Sequence, residues 1–368
     1  MTENINLNTT EMEWVGNWSK LGCDLHRDAS VLYDYNNRRR FTYADLDHQA
    51  NVVSKFLVEE LHISKGKIIC VLSKNRFEYI DLFFAAGKIG AIIAPLSFHV
   101  KSDETLRSIS EIKPDLFVHD KELFNRREDI AGNVRIINTD SLNGLDYSES
   151  PSPEYNIPLM LDDISLLIGT SGSTGKSKIC KISYRQIFWN IMEVLFFMHW
   201  FENDKELILF PLYNLGAWNA FLSAFFSGHE TVLISEFYSR YVCEVMKSEK
   251  ITHFGGVNVM LDFIFQDKLF DKADFAKLYG ITLAGAPADI ELMKQFSDIG
   301  VPVSQAYGLT EAGPSNFVNS GIGVNFSDLV KSAGTVGYAM PLCDARISKR
   351  EAGDARGVLQ LRSCHSFS

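Results

Sequence analysis

The six cysteines stand apart, at positions 23, 70, 180, 243, 343 and 364, with no C-x-x-C pair among them. That scatter predicts thiols rather than disulfide staples or a zinc site, as in a reducing cytoplasm. The first residues, MTENINLNTTEMEW, lack the basic-then-apolar order of a secretory signal, so a cytoplasmic location is expected. There is no basic block: 36 lysines and arginines face 46 aspartates and glutamates, a formal charge of -10, which argues against nucleic acid as a partner. No internal repeat of solenoid period is present. One uncharged stretch, Leu207 to Gly228, reaches bilayer-spanning length, but Pro211, Asn214, Gly216 and Asn219 interrupt it. It reads as strand, loop and buried helix, and no membrane association is expected.

Alternation is what the sequence does have. Short apolar runs rich in β-branched and aromatic residues (IICVLS, AIIAPL, DLFVHD, VRIIN, SLLIG, LILF, TVLIS, ITLAGAP, VPVSQAYG) recur between longer segments of helical period. This predicts an α/β fold with largely parallel sheets. Thr42 with Asp45 three residues on predicts a capped helix over YADLDHQANVVSKFLVEEL, and a second helix is expected over EYIDLFFAAGKIG. Each should lead to a strand through glycine. With 368 residues the chain exceeds one compact core. The Ser-, Asn-, Pro- and acid-rich stretch 138–162 predicts a surface connection, and the glycine-punctuated run after 332 a small β unit. The expected subdomains are 1–155, 156–331 and 332–368.

The strongest local signal is Thr170-Ser171-Gly172-Ser173-Thr174-Gly175-Lys176-Ser177-Lys178, directly after ISLLIG. Small residues let backbone N–H groups approach an anion, hydroxyls add donors and lysines add charge, which suits a polyphosphate. A flexible Gly/Ser connector is the plain alternative, although such linkers seldom sit between two strongly apolar segments. A Walker A loop fails at its first glycine, where Thr170 stands, and KICKIS reads as a strand where a P-loop would open into a helix.

TSGSTGKSK resembles the [ST]-S-G-[ST]-T-G-x-P-K signature of the acyl- and aryl-CoA synthetase, luciferase and peptide-synthetase adenylation superfamily, whose loop folds over the ATP phosphates. Lys178 takes the signature's lysine; Ser177 replaces its proline and Ile179 the glycine that usually follows. FTYADL and NRFEYIDLFFAAGKIGAIIAP are similar to that family's opening segments. ITLAGAPADI resembles its G-A-P turn, and QAYGLTEAG reproduces its Y-G-x-T-E signature; GTVGYAMP and GVLQLRS follow in the family's order. The likeness runs from about Thr42 to the C-terminus. It implies two αβαβα-type subdomains plus a small β-barrel-like subdomain, with ATP and Mg²⁺ as cofactors. Nucleotide contacts are implied at Thr170, Ser171, Gly172, Ser173, Thr174, Gly175, Lys178, Gly285, Ala286, Pro287, Gln305, Ala306, Tyr307, Gly308 and Thr310. Thr174, Lys178, Thr310 and Glu311 are the implied catalytic groups, with Glu311 on the metal.

PLYNLGAWN stands where the family has a segment lining the acyl pocket. No aspartate lies between Pro211 and Asn219 to pair with an ammonium group, which disfavours an α-amino acid. Asn214, Trp218, Phe221, Gly255, Gly256, Val257, Ala284, Gly285 and Ala306 are the candidate pocket, flat and suited to an aromatic acid, while any one of the aromatics has ordinary core as its plain reading. The resemblance also implies a later ribose-binding aspartate and a C-terminal-domain lysine, which this sequence does not contain; slow or partner-dependent adenylation is the corresponding expectation. Similar shortened proteins of phenazine antibiotic clusters suggest a phenazine carboxylate, and a separate protein that completes the site or reduces the activated acid. Two alternatives stay open: an inactive protein that binds an aromatic carboxylate or nucleotide, and an acyl-CoA ligase subunit completed by a partner.

Overall fold

The computed structural model describes residues 9–130, 132–148, 154–170, 178–197, 201, 203–319, 326–331, 334–349, 357–364 and 366. The chain divides into two units: residues 1–185, 211–218 and 228–236 form the first, and 186–210, 219–227 and 237–368 the second.

In the first unit the strands are β1 (Ser30–Asp34), β2 (Arg39–Thr42), β3 (Ile68–Leu72), β4 (Ile92–Pro95), β5 (Leu116–His119), β6 (Arg135–Asn138), β7 (Ile164–Thr170) and β8 (Lys178–Ser183). After β9 (Lys205–Ile208), which belongs to the second unit, the chain returns to the first for β10 (Glu230–Leu233). Six strands form one sheet in the order β6-β5-β3-β4-β7-β8, parallel except for the antiparallel β7–β8 pair. β1 pairs in parallel with β10 and antiparallel with β2. The expected helices are there. Tyr43–Lys55 begins with a capping box, in which the Thr42 side chain accepts from the Asp45 amide (3.1 Å) and the Asp45 carboxylate accepts from the Thr42 amide (2.8 Å). Phe77–Ile89 ends on left-handed Gly90, whose φ of 68° releases the chain into β4. The first helix leaves differently, through a π-helical turn, Phe56–Glu60, with Gly66 only in the later turn before β3. Fully buried Lys88 fixes the helices to one another by bonding Asp47 and Asn17, each at 2.8 Å. A buried lysine is tolerated only with such partners.

In the second unit β9 is followed by β11 (His253–Gly256), β12 (Gly280–Leu283), β13 (Val303–Tyr307), β14 (Phe317–Val318) and β15 (Tyr338–Ala339). The order is β9-β11-β12-β13-β14-β15; the first four run parallel and the last two antiparallel. Near the end of the chain β16 (Cys343–Lys349) and β17 (Gly357–Ser363) pair as an antiparallel hairpin. The stretch from Leu207 is β9, a turn and the helix Leu215–Phe226, and among the described residues no helix is long and apolar enough to cross a membrane.

Candidate functional site

Parallel strands leave their helix-bound connections at one edge, and ligands of open α/β sheets gather at the carboxyl ends. In the second unit the carboxyl ends of β11, β12 and β13 are Gly256, Leu283 and Tyr307. Val257, the turn 284–287 and the segment 308–311 therefore emerge at one edge, which brings together most of the pocket and nucleotide candidates of this unit.

Their placement is held by polar side chains. The Ala284 amide donates to the Gly256 carbonyl (3.1 Å). Asn258 donates to the Pro287 carbonyl (2.7 Å) and accepts from the Asp289 amide (3.0 Å), tying the end of β11 to the Gly285-Ala286-Pro287 turn. Gln305, 4% exposed, grips the same turn from β13: its Oε1 accepts from the Ala288 amide (3.0 Å) and its Nε2 donates to the Ala286 carbonyl (3.4 Å). Gly285 turns the chain with a φ of 82°, a left-handed conformation glycine adopts without penalty. The strand wall is flat for a visible reason. A β-carbon on Gly255 would stand 3.2 Å from the ring of Phe210, and one on Gly256 would stand 3.3 Å from Leu261. Ala306 lies half-buried on β13, opposite Val318 of β14.

The Tyr307–Glu311 segment turns sharply into the 3₁₀ turn Thr310–Ala312. Asn316, fully buried, accepts from the Leu309 amide through Oδ1 (3.2 Å) and donates to the Ala312 carbonyl through Nδ2 (2.7 Å). Its own amide donates to the Tyr307 carbonyl (2.9 Å). One side chain thus brackets the turn that presents Thr310, half-buried, and Glu311, exposed. Asn319 braces the neighbouring strand by accepting from the Gln305 amide, and Asn190 and Asn219 both reach Ser315. Neither Asn316 nor Asn319 was named from sequence. Their only signal is the alternation with Phe317 and Val318 in SNFVN, which a lone sequence does not separate from a surface turn.

In the first unit, Thr170 and Lys178 face one another as the last pair of the β7–β8 ladder, with the Thr170 hydroxyl 3.4 Å from the Lys178 carbonyl. Ser171, Gly172, Ser173, Thr174 and Gly175, with Lys176 and Ser177, lie outside the described residues. Lys178 is exposed. Asn214 is exposed at the start of the helix Leu215–Phe226, in a turn closed by its amide to the Pro211 carbonyl (2.9 Å) and braced by Asn75, which accepts from the Leu212 amide (2.7 Å). Trp218 is fully buried in the aromatic core of this unit. Its indole stacks on Phe83 with ring centres 4.2 Å apart, meets Tyr79 edge-on and donates to the Leu212 carbonyl (2.7 Å). Phe221, in the second unit, is equally buried and neighbours Phe225.

Among the described residues no three acidic, histidine or cysteine side chains gather as a metal site. Glu311 is a single exposed carboxylate. That suits a magnesium ion that arrives on a triphosphate and keeps few protein ligands, and it does not suit a resident metal.

Two α/β units, the second gathering a G-A-P turn and a Y-G-x-T-E turn at one sheet edge, are the architecture of the N-terminal domain of adenylate-forming enzymes. The chain belongs to the AMP-binding enzyme family, which residues 22–366 match. It is 27% identical over 308 residues to a feruloyl-CoA synthase of an Amycolatopsis species, covering 83% of this chain and 61% of that protein. It is 25% identical over 301 residues to a 2-succinylbenzoate–CoA ligase of a Geobacillus species, covering 81% and 58%. The chain therefore spans about three fifths of the length of these relatives. Among solved structures, the N-terminal domain of FACL13 from Mycobacterium tuberculosis superposes with a TM-score of 0.85 at 21% identity, covering 96% of this chain and 90% of that one. The o-succinylbenzoate CoA synthetase of Bacillus subtilis, in complex with its acyl-adenylate intermediate, superposes with a TM-score of 0.83 at 20% identity, covering 97% and 70%.

Proposed function

We propose that this chain joins a carboxylic acid, an aromatic one, to AMP from ATP. A carboxylate oxygen attacks the α-phosphorus, the bond to the bridging oxygen breaks, and pyrophosphate leaves with an acyl-adenylate as product. The observation that carries the reading is the convergence of Val257, the Gly285 turn and the Tyr307–Glu311 turn at the carboxyl edge of one sheet, in a chain of the AMP-binding enzyme family.

In this reading the Tyr307 ring lies along adenine, with Gly285, Ala286 and Pro287 beside it. The Thr310 hydroxyl donates to a phosphate oxygen, and Thr170, the loop 171–177 and Lys178 meet the remaining phosphate charge. Glu311 would hold Mg²⁺, which when bound neutralises charge on the triphosphate. The chain's own contribution is to hold the carboxylate and the α-phosphorus in line and to present donors where charge develops. Gly255, Gly256, Val257, Ala284 and Ala306 of the second unit leave room for a flat ring. Substrates of the similar proteins, ferulate and o-succinylbenzoate, are aryl acids, and fused-ring acids such as phenazine carboxylates share that chemistry.

Calorimetric titration of MgATP into the wild type and Lys178→Ala tests the nucleotide half. Binding weakened roughly tenfold or more in the variant, the loss of one charge-assisted contact, is expected; equal binding by both would remove Lys178 from the site.

A further inference from the structure

A cavity of about 730 Å³ opens in the first unit, and none of the residues that line it is assigned above. Lys67, Asp115 and Val134, which line it, stand one residue before β3, β5 and β6 begin, so it lies at the amino edge of the parallel strands. The phosphate loop leaves the carboxyl end of β7 in the same sheet, at the opposite edge. The volume falls within the roughly 300–1,000 Å³ of small-molecule sites.

Its lining has two parts. Ile63, Leu106, Ile109 and Val134 give an apolar floor continuous with the core around Phe117 and Phe124. Lys67, Lys113 and Arg135 face Asp115 and Asp129 at the rim. Both acids are already neutralised, Asp115 by Lys67 (2.8 Å) and Asp129 by Arg126 (2.5 Å). Arg135 uses one donor on the Glu60 carbonyl (2.8 Å). Lys113 and Arg135 therefore leave the cavity net positive in a chain whose formal charge is -10.

The backbone supplies an independent observation. Among the described residues four non-glycines have positive φ, and two of them, His62 (55°) and Lys113 (53°), line this cavity. A left-handed conformation costs a residue with a β-carbon about 1–2 kcal/mol. Lys113 adopts it at the end of the helix Ser102–Ile112, where glycine is the ordinary choice. His62 likewise follows the end of a helix, the π-helical turn Phe56–Glu60, so two helix ends, each closed by a residue that keeps its side chain where glycine would remove it, border this cavity.

We propose that this cavity is a second ligand site, taking a small organic carboxylate whose head meets Lys113 and Arg135 and whose apolar body lies on Ile63, Leu106, Ile109 and Val134. The site is independent of the adenylation reading. The test is calorimetric titration of the whole chain with 2-naphthoate, and with 2-naphthylmethylamine as a cation of the same body. Lys113→Gly is expected to weaken 2-naphthoate binding roughly tenfold or more while raising the melting temperature, because glycine relieves the strain. Leu106→Trp, which fills the floor, is expected to abolish the same binding, and Glu311→Gln, at the other site, to leave it unchanged. Equal affinity in Lys113→Gly and wild type, equal affinity for the amine, or no binding of 2-naphthoate to the wild type would overturn the proposal.

Discussion

Gly308 lies so close to Pro314 that a β-carbon on it would stand 2.1 Å from the Pro314 carbonyl oxygen. The glycine of the Y-G-x-T-E turn is thus dictated by a backbone crossing beneath it, whatever ligand lies above. Gly308→Ala is expected to destabilise the protein by about 1–3 kcal/mol, the cost of overpacking against an unyielding neighbour. Urea unfolding of the two proteins measures it; unchanged stability would mean that the crossing relaxes freely.

Asn316 acts on the same turn from its buried side. Asn316→Ala removes both the acceptor for Leu309 and the donor to Ala312, a loss of about 1–3 kcal/mol if the stranded groups find no water. Because the turn carries Glu311, the variant should also need more Mg²⁺ for half-maximal activity, which a purely structural lesion would not require. Activity measured against Mg²⁺ concentration at saturating ATP separates the two.

Glu206, buried on β9, gives a pH prediction. Its Oε2 has no hydrogen-bond partner among the described residues, and burial, with the nearby Asp204 charge, pushes its carboxyl up from 4.5 to about 8. Between those values the folded chain holds a proton that the unfolded chain has released. Stability contributed by the neutral carboxyl is complete below 4.5 and falls as pH rises towards 8, by up to about 1.4 kcal/mol per pH unit. Glu206→Gln should flatten that decline and be the more stable protein at pH 7.5. Parallel pH-stability curves for the two proteins would contradict the assignment.

At the other end of the chain, Thr42→Ala removes the Thr42 side-chain acceptor of the capping box and should cost about 1 kcal/mol. Thermal unfolding reads it, and Thr42→Ser should recover most of the loss.

Thr42 and Asp45 were legible because a cap is a local bargain between residues three apart. The helix over Phe77–Ile89 and most strand runs were legible because burial on both faces leaves continuous apolar stretches. β1 and β2 were not named, since SVLYD ends on a carboxylate that only the fold buries, RRFT exposes two arginines, and their turn needs Arg38 at a φ of 53°, which no composition rule anticipates. β11, His253–Gly256, was read as pocket wall without being read as a strand, because glycines that keep a wall flat also erase the β-branched signal. Trp218 shows the limit for aromatics. A pocket wall and a core ring have the same sequence signature, and only the stack on Phe83 reveals how its faces are used. Asn316 and Asn319 escaped notice because their partners are backbone groups brought near by the fold.

The central claim, carboxylate activation with ATP, is tested most directly by carboxylate-dependent exchange of labelled pyrophosphate into ATP, with Mg²⁺ present and a panel of benzoates, cinnamates, phenazine carboxylates and fatty acids. The account predicts exchange with an aryl acid, at least roughly tenfold slower in Glu311→Gln. No exchange with any acid, from a chain that still binds MgATP by calorimetry, would contradict it and leave a protein that binds nucleotide without activating an acid.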